Sequence, residues 1–126
     1  MDMEAAVKEF RTTYGLPVNE EPTLLPYKDK SLHDDLLEEE LEELGGAEYD
    51  DDMKEIADAI GDAIYILFGR AVHMGLPINR ILQEIHTSNM SKLGEDGKPI
   101  YREDGKVLKG PNFFEPRIQA ILDGEL

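Results

Sequence analysis

Apolar residues recur at helical intervals along most of the chain, and glycine and proline punctuate them. Between Glu4 and Tyr14, the side chains of Val7, Phe10 and Tyr14 share a helix face, and Gly15-Leu16-Pro17 ends the run. Pro17, Pro22 and Pro26 predict an irregular connection as far as about Lys30. A second helix is predicted from about Leu32 to Leu44, with Ser31 as N-cap, Asp34 three residues on, and Gly45-Gly46 as its stop. A third is predicted from about Asp51 to His73. Its acidic start, Asp50 to Asp52, suits the positive end of the helix dipole, and Gly75-Leu76-Pro77 closes it. A fourth covers about Asn79 to Ser88, with Ile81, Leu82 and Ile85 facing inward. The pattern then changes. In KPIYREDGKVLKG, Asp104-Gly105 sits between two β-prone runs and predicts a type I′ hairpin. A short last helix, Glu115 to Leu122, takes Pro116 in its first turn. The expected fold class is all-α: a helical bundle of four to five helices with a small β-hairpin in a late loop, forming a single domain over residues 1–126.

The polar positions are less ordinary. From Leu36 to Asp62, 12 of 27 residues are carboxylates. Each helical residue advances about 100°. With Leu37 at the centre of the second helix's apolar arc, Leu41 and Leu44 fall beside it, and Leu36 and Leu32 widen it. Glu40 and Glu43 then project inside the arc and Glu39 lies at its edge, whereas Glu38 and Glu42 fall outside. On the third helix Glu55, Asp58 and Asp62 form one stripe, and Ile56, Ile60, Ile64 and Leu67 form another well away from it. The acid stripe continues into Tyr65, Ile66 and Gly69, and Asp62 is the only charge from Ala59 to Gly69. A helix so apolar is covered on more than one side, so its acid stripe is expected to point toward another protein surface. Spacing leaves two readings open. One is a solvated face of helix-favouring Glu. The other is a set of carboxylates converging from two helices, which repel one another unless protonated or bridged by cations. Oxygen-only ligands suit Mg²⁺ or Mn²⁺ rather than Zn²⁺.

Composition narrows the class. The length suits one domain able to bury its own core, and the absence of Cys removes disulfide and thiolate chemistry and fits a reducing, cytoplasmic setting. The start, MDMEAAVKEF, does not resemble a secretory signal, and no uncharged apolar run approaches the ~18 residues of a membrane span. The net charge of −15 argues against a nucleic-acid polymer as partner. That charge is concentrated: residues 1–79 carry 20 acids and 6 bases, residues 80–126 carry 8 and 7. An acidic front of this kind binds a phosphate only with a divalent cation between them.

The acids also form an ordered set. Glu39-Glu40-Leu41-Glu42-Glu43-Leu44, followed by Glu55-Ile56-Ala57-Asp58, resembles the EExxE…ExxD signature of the MazG-like, all-α nucleoside triphosphate pyrophosphohydrolases. That superfamily includes dimeric dUTPases and phosphoribosyl-ATP pyrophosphohydrolase. The resemblance extends through Gly61-Asp62, Tyr65, Gly69 and Ala71 to HTSNMSKL, His86 to Leu93, and KVLKGP, Lys106 to Pro111. It implies Mg²⁺-dependent (or Mn²⁺-dependent) hydrolysis of a nucleoside triphosphate, such as a deoxynucleotide, to the monophosphate and pyrophosphate. The alternatives are phosphoribosyl-ATP hydrolysis and a non-catalytic acidic helical module that binds a protein partner or divalent ions.

The resemblance implies roles residue by residue. Glu40, Glu43, Glu55, Asp58 and Asp62 are the expected metal ligands. The share of Asp58 against Asp62 stays open, because many relatives carry the acid in a Gly-Asp pair, here Gly61-Asp62. Glu39 is the candidate that orients or deprotonates the attacking water. Asn89 and Lys92, three apart on one face, are expected on the substrate, with Lys92 on the outer phosphates. His86, one turn earlier, either joins them or acts as a cation near a helix C-terminus. Lys109, before Gly110-Pro111, completes the substrate-binding set; Lys98, Arg102 and Lys106 read as solvated charge, and Tyr65 and Phe114 as packing residues. The family's paired subunits and the third helix's broad apolar surface together imply a homodimer or homotetramer, with a nucleoside triphosphate as small-molecule partner and no membrane.

Overall fold

The computed structural model describes residues 1–126 as five helices: α1 (Met3–Thr13), α2 (Tyr27–Tyr49), α3 (Met53–His73), α4 (Ile78–Met90) and α5 (Ile118–Leu122), with no β-strand. The all-α expectation holds. No single helix is long and apolar enough to cross a membrane. The chain divides into two compact units, Met1–Ile78 and Asn79–Leu126.

In the first unit, Asp2 and Asp52 cap α1 and α3, accepting from Ala5 N at 3.1 Å and Glu55 N at 3.2 Å. The second helix departs from expectation at both ends. It begins at Tyr27 straight after Pro26, not at Ser31, and it runs through Gly45-Gly46 to Tyr49. The glycines fail to stop it because the chain beyond them still packs: Ala47 is buried, and α2 against α3 is the main helix contact. A Cβ at Gly45 would meet nothing within 4 Å. Gly45→Ala is therefore expected to raise the unfolding free energy by about 0.5–1 kcal/mol in urea denaturation; a loss of stability would show that the glycine is needed.

The real stop is the turn at Asp50–Asp52, where Asp51 takes φ 52°, a left-handed conformation that Asp tolerates better than most residues. This short connection makes α2 and α3 an antiparallel hairpin. Residues at similar distances from Asp51 along the two arms therefore face each other. Asp34 accepts from Arg70 Nη1 at 2.6 Å, and Asp29 lies 3.9 Å from His73 Nε2. Small buried residues, Ala47, Ala59 and Ala71, suit close approach of the helices.

Three polar side chains are buried among them: Arg11, His33 and His73. His33 Nε2 and His73 Nδ1 share a hydrogen bond of 2.9 Å. Burial pushes both imidazoles below the ordinary value of 6.5, reinforced for each by the Arg11 charge, while Asp29 opposes the shift. The unfolded chain therefore binds protons that the folded chain refuses. Stability is fully present above pH 6.5 and is lost as pH falls through the lowered values. Denaturation midpoints measured between pH 8 and pH 5 are expected to fall with pH, and His33→Gln to flatten that slope. An unchanged slope would remove the pair as its source.

The connection from α1 to α2 is tied to the end of α3. Asn19 N and Nδ2 donate to His73 O, and Thr23 N donates to Met74 O at 2.8 Å. Gly75, at φ 72°, has no room for a Cβ, which would collide with the Glu21 carbonyl. On α3 itself the acid stripe's continuation is covered by this chain's own α1: Tyr65 meets Phe10 edge-on at 5.7 Å, and Gly69 is buried beside Arg11. The other stripe is left out. Ile60, Ile64 and Leu67 remain 46%, 46% and 49% exposed.

In the second unit, α4 buries Ile81, Glu84 and Ser88. Leu82, expected inward, is exposed, and Glu84 takes an inward position instead. Its carboxylate accepts from Arg117 N and Nε at 2.9 Å and from Nη2 at 3.0 Å, which holds its pKa down at about 2. Ser88 Oγ donates to Phe114 O at 2.8 Å, and Phe114 N donates to Ser91 Oγ at 3.2 Å. The expected hairpin shrinks to a single antiparallel bridge, Tyr101–Val107. Only Gly105 of the Asp104-Gly105 pair has positive φ, so the turn is not type I′. Asp104 instead binds Arg102 Nε and Lys106 N with its carboxylate, which fixes a three-residue loop. The last helix is shorter than expected because Pro116 disfavours helix at Glu115, and Arg117 N is held by Glu84.

Candidate active site

The hairpin register brings the expected acids of α2 and α3 to one seam. Glu40 and Asp62 stand equally far from Asp51 on opposite arms. Glu40 is half-buried, and its Oε2 is buried without any hydrogen-bond partner. Burial pushes its carboxyl above the usual range. The charge of Glu43, which lies close enough to share a proton with it, pushes the same way, followed by Asp62 and then Asp58. Three acids from two helices thus act on Glu40, with Asp62 ahead of Asp58. Glu55 belongs to the adjoining part of the seam, where it lines an acidic cleft of about 220 Å³ with Glu43, Asp50 and Asp52. Glu39 is exposed on α2 next to Glu40.

An orphaned buried carboxylate oxygen on Glu40, whose proton affinity is raised by burial and by the neighbouring acids, fits a divalent cation. The cation would supply the missing partner and cancel the repulsion. As the side chains stand, no group of three or more His, Asp or Glu closes on a common point. Glu43, Asp58 and Asp62 are exposed, so their rotamers are free to turn inward.

The remaining expected residues lie in the second unit. Lys92 N donates to Asn89 O at 3.2 Å, and Gly110 N donates to Lys92 O at 2.8 Å, which places Lys109 beside the Asn89–Lys92 turn. Only glycine fits at 110, because a Cβ would stand inside the Leu93 carbonyl. Lys109 Nζ lies over the Phe113 ring at 4.7 Å and 3.8 Å from Glu115. His86 is exposed. The structure thus gathers Asn89, Lys92 and Lys109 and leaves His86 apart from their hydrogen bonds. Sequence reasoning passed over Arg11, His33 and His73. Arg11 carried a signal, since it lies four residues after Val7 and so shares its buried face.

An all-α chain with acids of two helices facing across a seam fits the MazG-like nucleoside triphosphate pyrophosphohydrolases, the superfamily its motifs resemble. More narrowly, the chain belongs to the phosphoribosyl-ATP pyrophosphohydrolase family, whose model matches residues 7–89, from α1 to the end of α4. An uncharacterised protein of Acanthamoeba polyphaga mimivirus is 31% identical over a 123-residue alignment that covers 92% of this chain; the chain spans only 45% of that relative's length. A solved Exiguobacterium sp. 255-15 protein, described as a candidate NTP pyrophosphohydrolase, is 26% identical, with a TM-score of 0.48 over 99% of this chain and 94% of its own.

Proposed function

We propose that the chain hydrolyses a nucleoside triphosphate between its α- and β-phosphates, releasing the monophosphate and pyrophosphate. The observation that carries this reading is the orphaned Glu40 carboxylate at the meeting of acids from α2 and α3, in a chain of this family. Glu40, Glu43, Glu55, Asp58 and Asp62 would hold Mg²⁺ or Mn²⁺. Such ions offset the triphosphate's charge and polarise its phosphoryl oxygens. Glu39 takes the proton of the water that attacks the α-phosphorus, and the bond to the bridging oxygen breaks with pyrophosphate as leaving group. Asn89, Lys92 and Lys109 bind phosphate and sugar oxygens, with Lys92 on the outer phosphates, where a flexible ammonium suits a point-charge role. A panel of NTPs and dNTPs with Mg²⁺ or Mn²⁺, read for released pyrophosphate, tests the reading. Silence across the panel would favour a non-catalytic acidic module. The family match favours phosphoribosyl-ATP as a second substrate to include.

The same reading includes self-association. Ile60, Ile64 and Leu67 present a half-exposed apolar stripe that a second copy would cover. Ile64→Glu is expected to halve the mass, or reduce it further, in light scattering. An unchanged mass would clear this face of that role.

A further inference from the structure

A cavity of about 140 Å³ opens among α1, α2 and α3, lined by Phe10, Leu36 and Tyr65 and, more deeply, by Arg11, His33 and Gly69. Phe10 and Leu36 are 41% and 37% exposed at its mouth, whereas Arg11 and His33 are only 8% and 6% exposed. Its size is informative, because an apolar cavity of about 150 Å³ takes a benzene-sized ring. One six-membered ring fills this volume, whereas the fused rings of a purine would project through the mouth past Phe10 and Leu36. Phe10 and Tyr65 stand at 87° to each other and form an aromatic corner for that ring.

The polar groups define which ring. Arg11 Nε donates to Pro17 O at 2.9 Å, and Nη1 lies 3.8 Å from where a Cβ of Gly69 would stand. A guanidinium offers only donors, so its Nη end selects carbonyl acceptors. The neighbouring His33 Nε2 is already engaged by His73 at 2.9 Å. Position links the cavity to the acids. Leu36 is one helical turn from Glu40, and Tyr65 is about one turn from Asp62, so the cavity and the seam are consecutive stretches of the same helix pair.

We propose that this cavity is the base site of the cleft, and that it selects pyrimidine nucleotides, with a base carbonyl on Arg11, over purine nucleotides, phosphoribosyl-ATP included. This rests on the pyrophosphohydrolase reading above. The test compares kcat/KM of the full chain with Mg²⁺ for dCTP, dUTP, dTTP, dATP and dGTP, beside the variant Gly69→Ala. The variant's methyl sits at ordinary contact distance from Arg11 and favours helix, so its Tm should hold or rise. The best pyrimidine substrate should exceed both purines by at least about tenfold, and Gly69→Ala should raise its KM roughly tenfold while kcat falls less. Purines turned over as well as pyrimidines, or a KM unmoved in the variant, overturns the base assignment and leaves the hydrolytic reading intact. Should no triphosphate be cleaved, the hydrolytic reading fails instead. The cavity is then judged by the Tyr65 ring resonances, which must shift with dCMP or dUMP and not with dAMP.

Discussion

Glu39→Gln is expected to keep the fold and cation binding and to lower kcat by about a hundred- to ten-thousand-fold, the range of a lost general base. Glu39 is exposed on α2 and follows directly on the apolar arc of that helix, so an amide of the same shape disturbs no packing. What changes is proton affinity: an amide cannot accept the proton of the attacking water. Manganese binding by calorimetry and turnover by pyrophosphate release, measured on the same preparation, separate the two roles. Retained manganese binding with lost turnover is the expected pair. Full turnover would move the base to another carboxylate of the seam.

Glu40→Gln is expected to act in opposite directions on stability and on function. Without a cation, Glu40 sits half-buried beside Glu43, Asp62 and Asp58, and its carboxyl is pushed toward the protonated form. An amide removes that charge and offers a donor to Glu43, so Tm in chelator should hold or rise. Removing a carboxylate ligand should cost at least ~100-fold in metal affinity and activity, no less than the loss of an outer-shell partner. The Tm gain that Mg²⁺ or Mn²⁺ gives the unsubstituted chain should shrink accordingly. A variant that binds and turns over normally would remove Glu40 from the ligand set.

Most helices were legible because their apolar positions recur at helical spacing, and α3 came out within two residues at its start. Glu40 was legible because arc geometry placed it on the apolar side of α2, where it is half-buried; Glu43, placed there by the same geometry, is exposed. The mutual arrangement of the acids was not legible. Gly45-Gly46 looked like a stop, and a helix ended at Leu44 has no defined partner register; the continuation to Tyr49 is what makes Asp51 the hinge and sets Glu40 against Asp62. Packing of Ala47 overrode a local glycine signal. The same tertiary override hid Glu84, which reads as a surface acid on α4 until Arg117, 33 residues later, folds back on it. His33 and His73 were hidden differently: their burial depends on separate segments meeting, and no local pattern reports that.

In the proposed reaction, the seam of α2 and α3 directs water to the α-phosphorus of a triphosphate with help from a divalent cation. The most direct measurement is ³¹P NMR of the products formed in ¹⁸O-enriched water from the preferred triphosphate, with Mg²⁺ and again with excess chelator. The expected result is monophosphate carrying the label and unlabelled pyrophosphate in equal amounts, with no reaction in chelator. Diphosphate with labelled inorganic phosphate, or cleavage indifferent to the chelator, would contradict it.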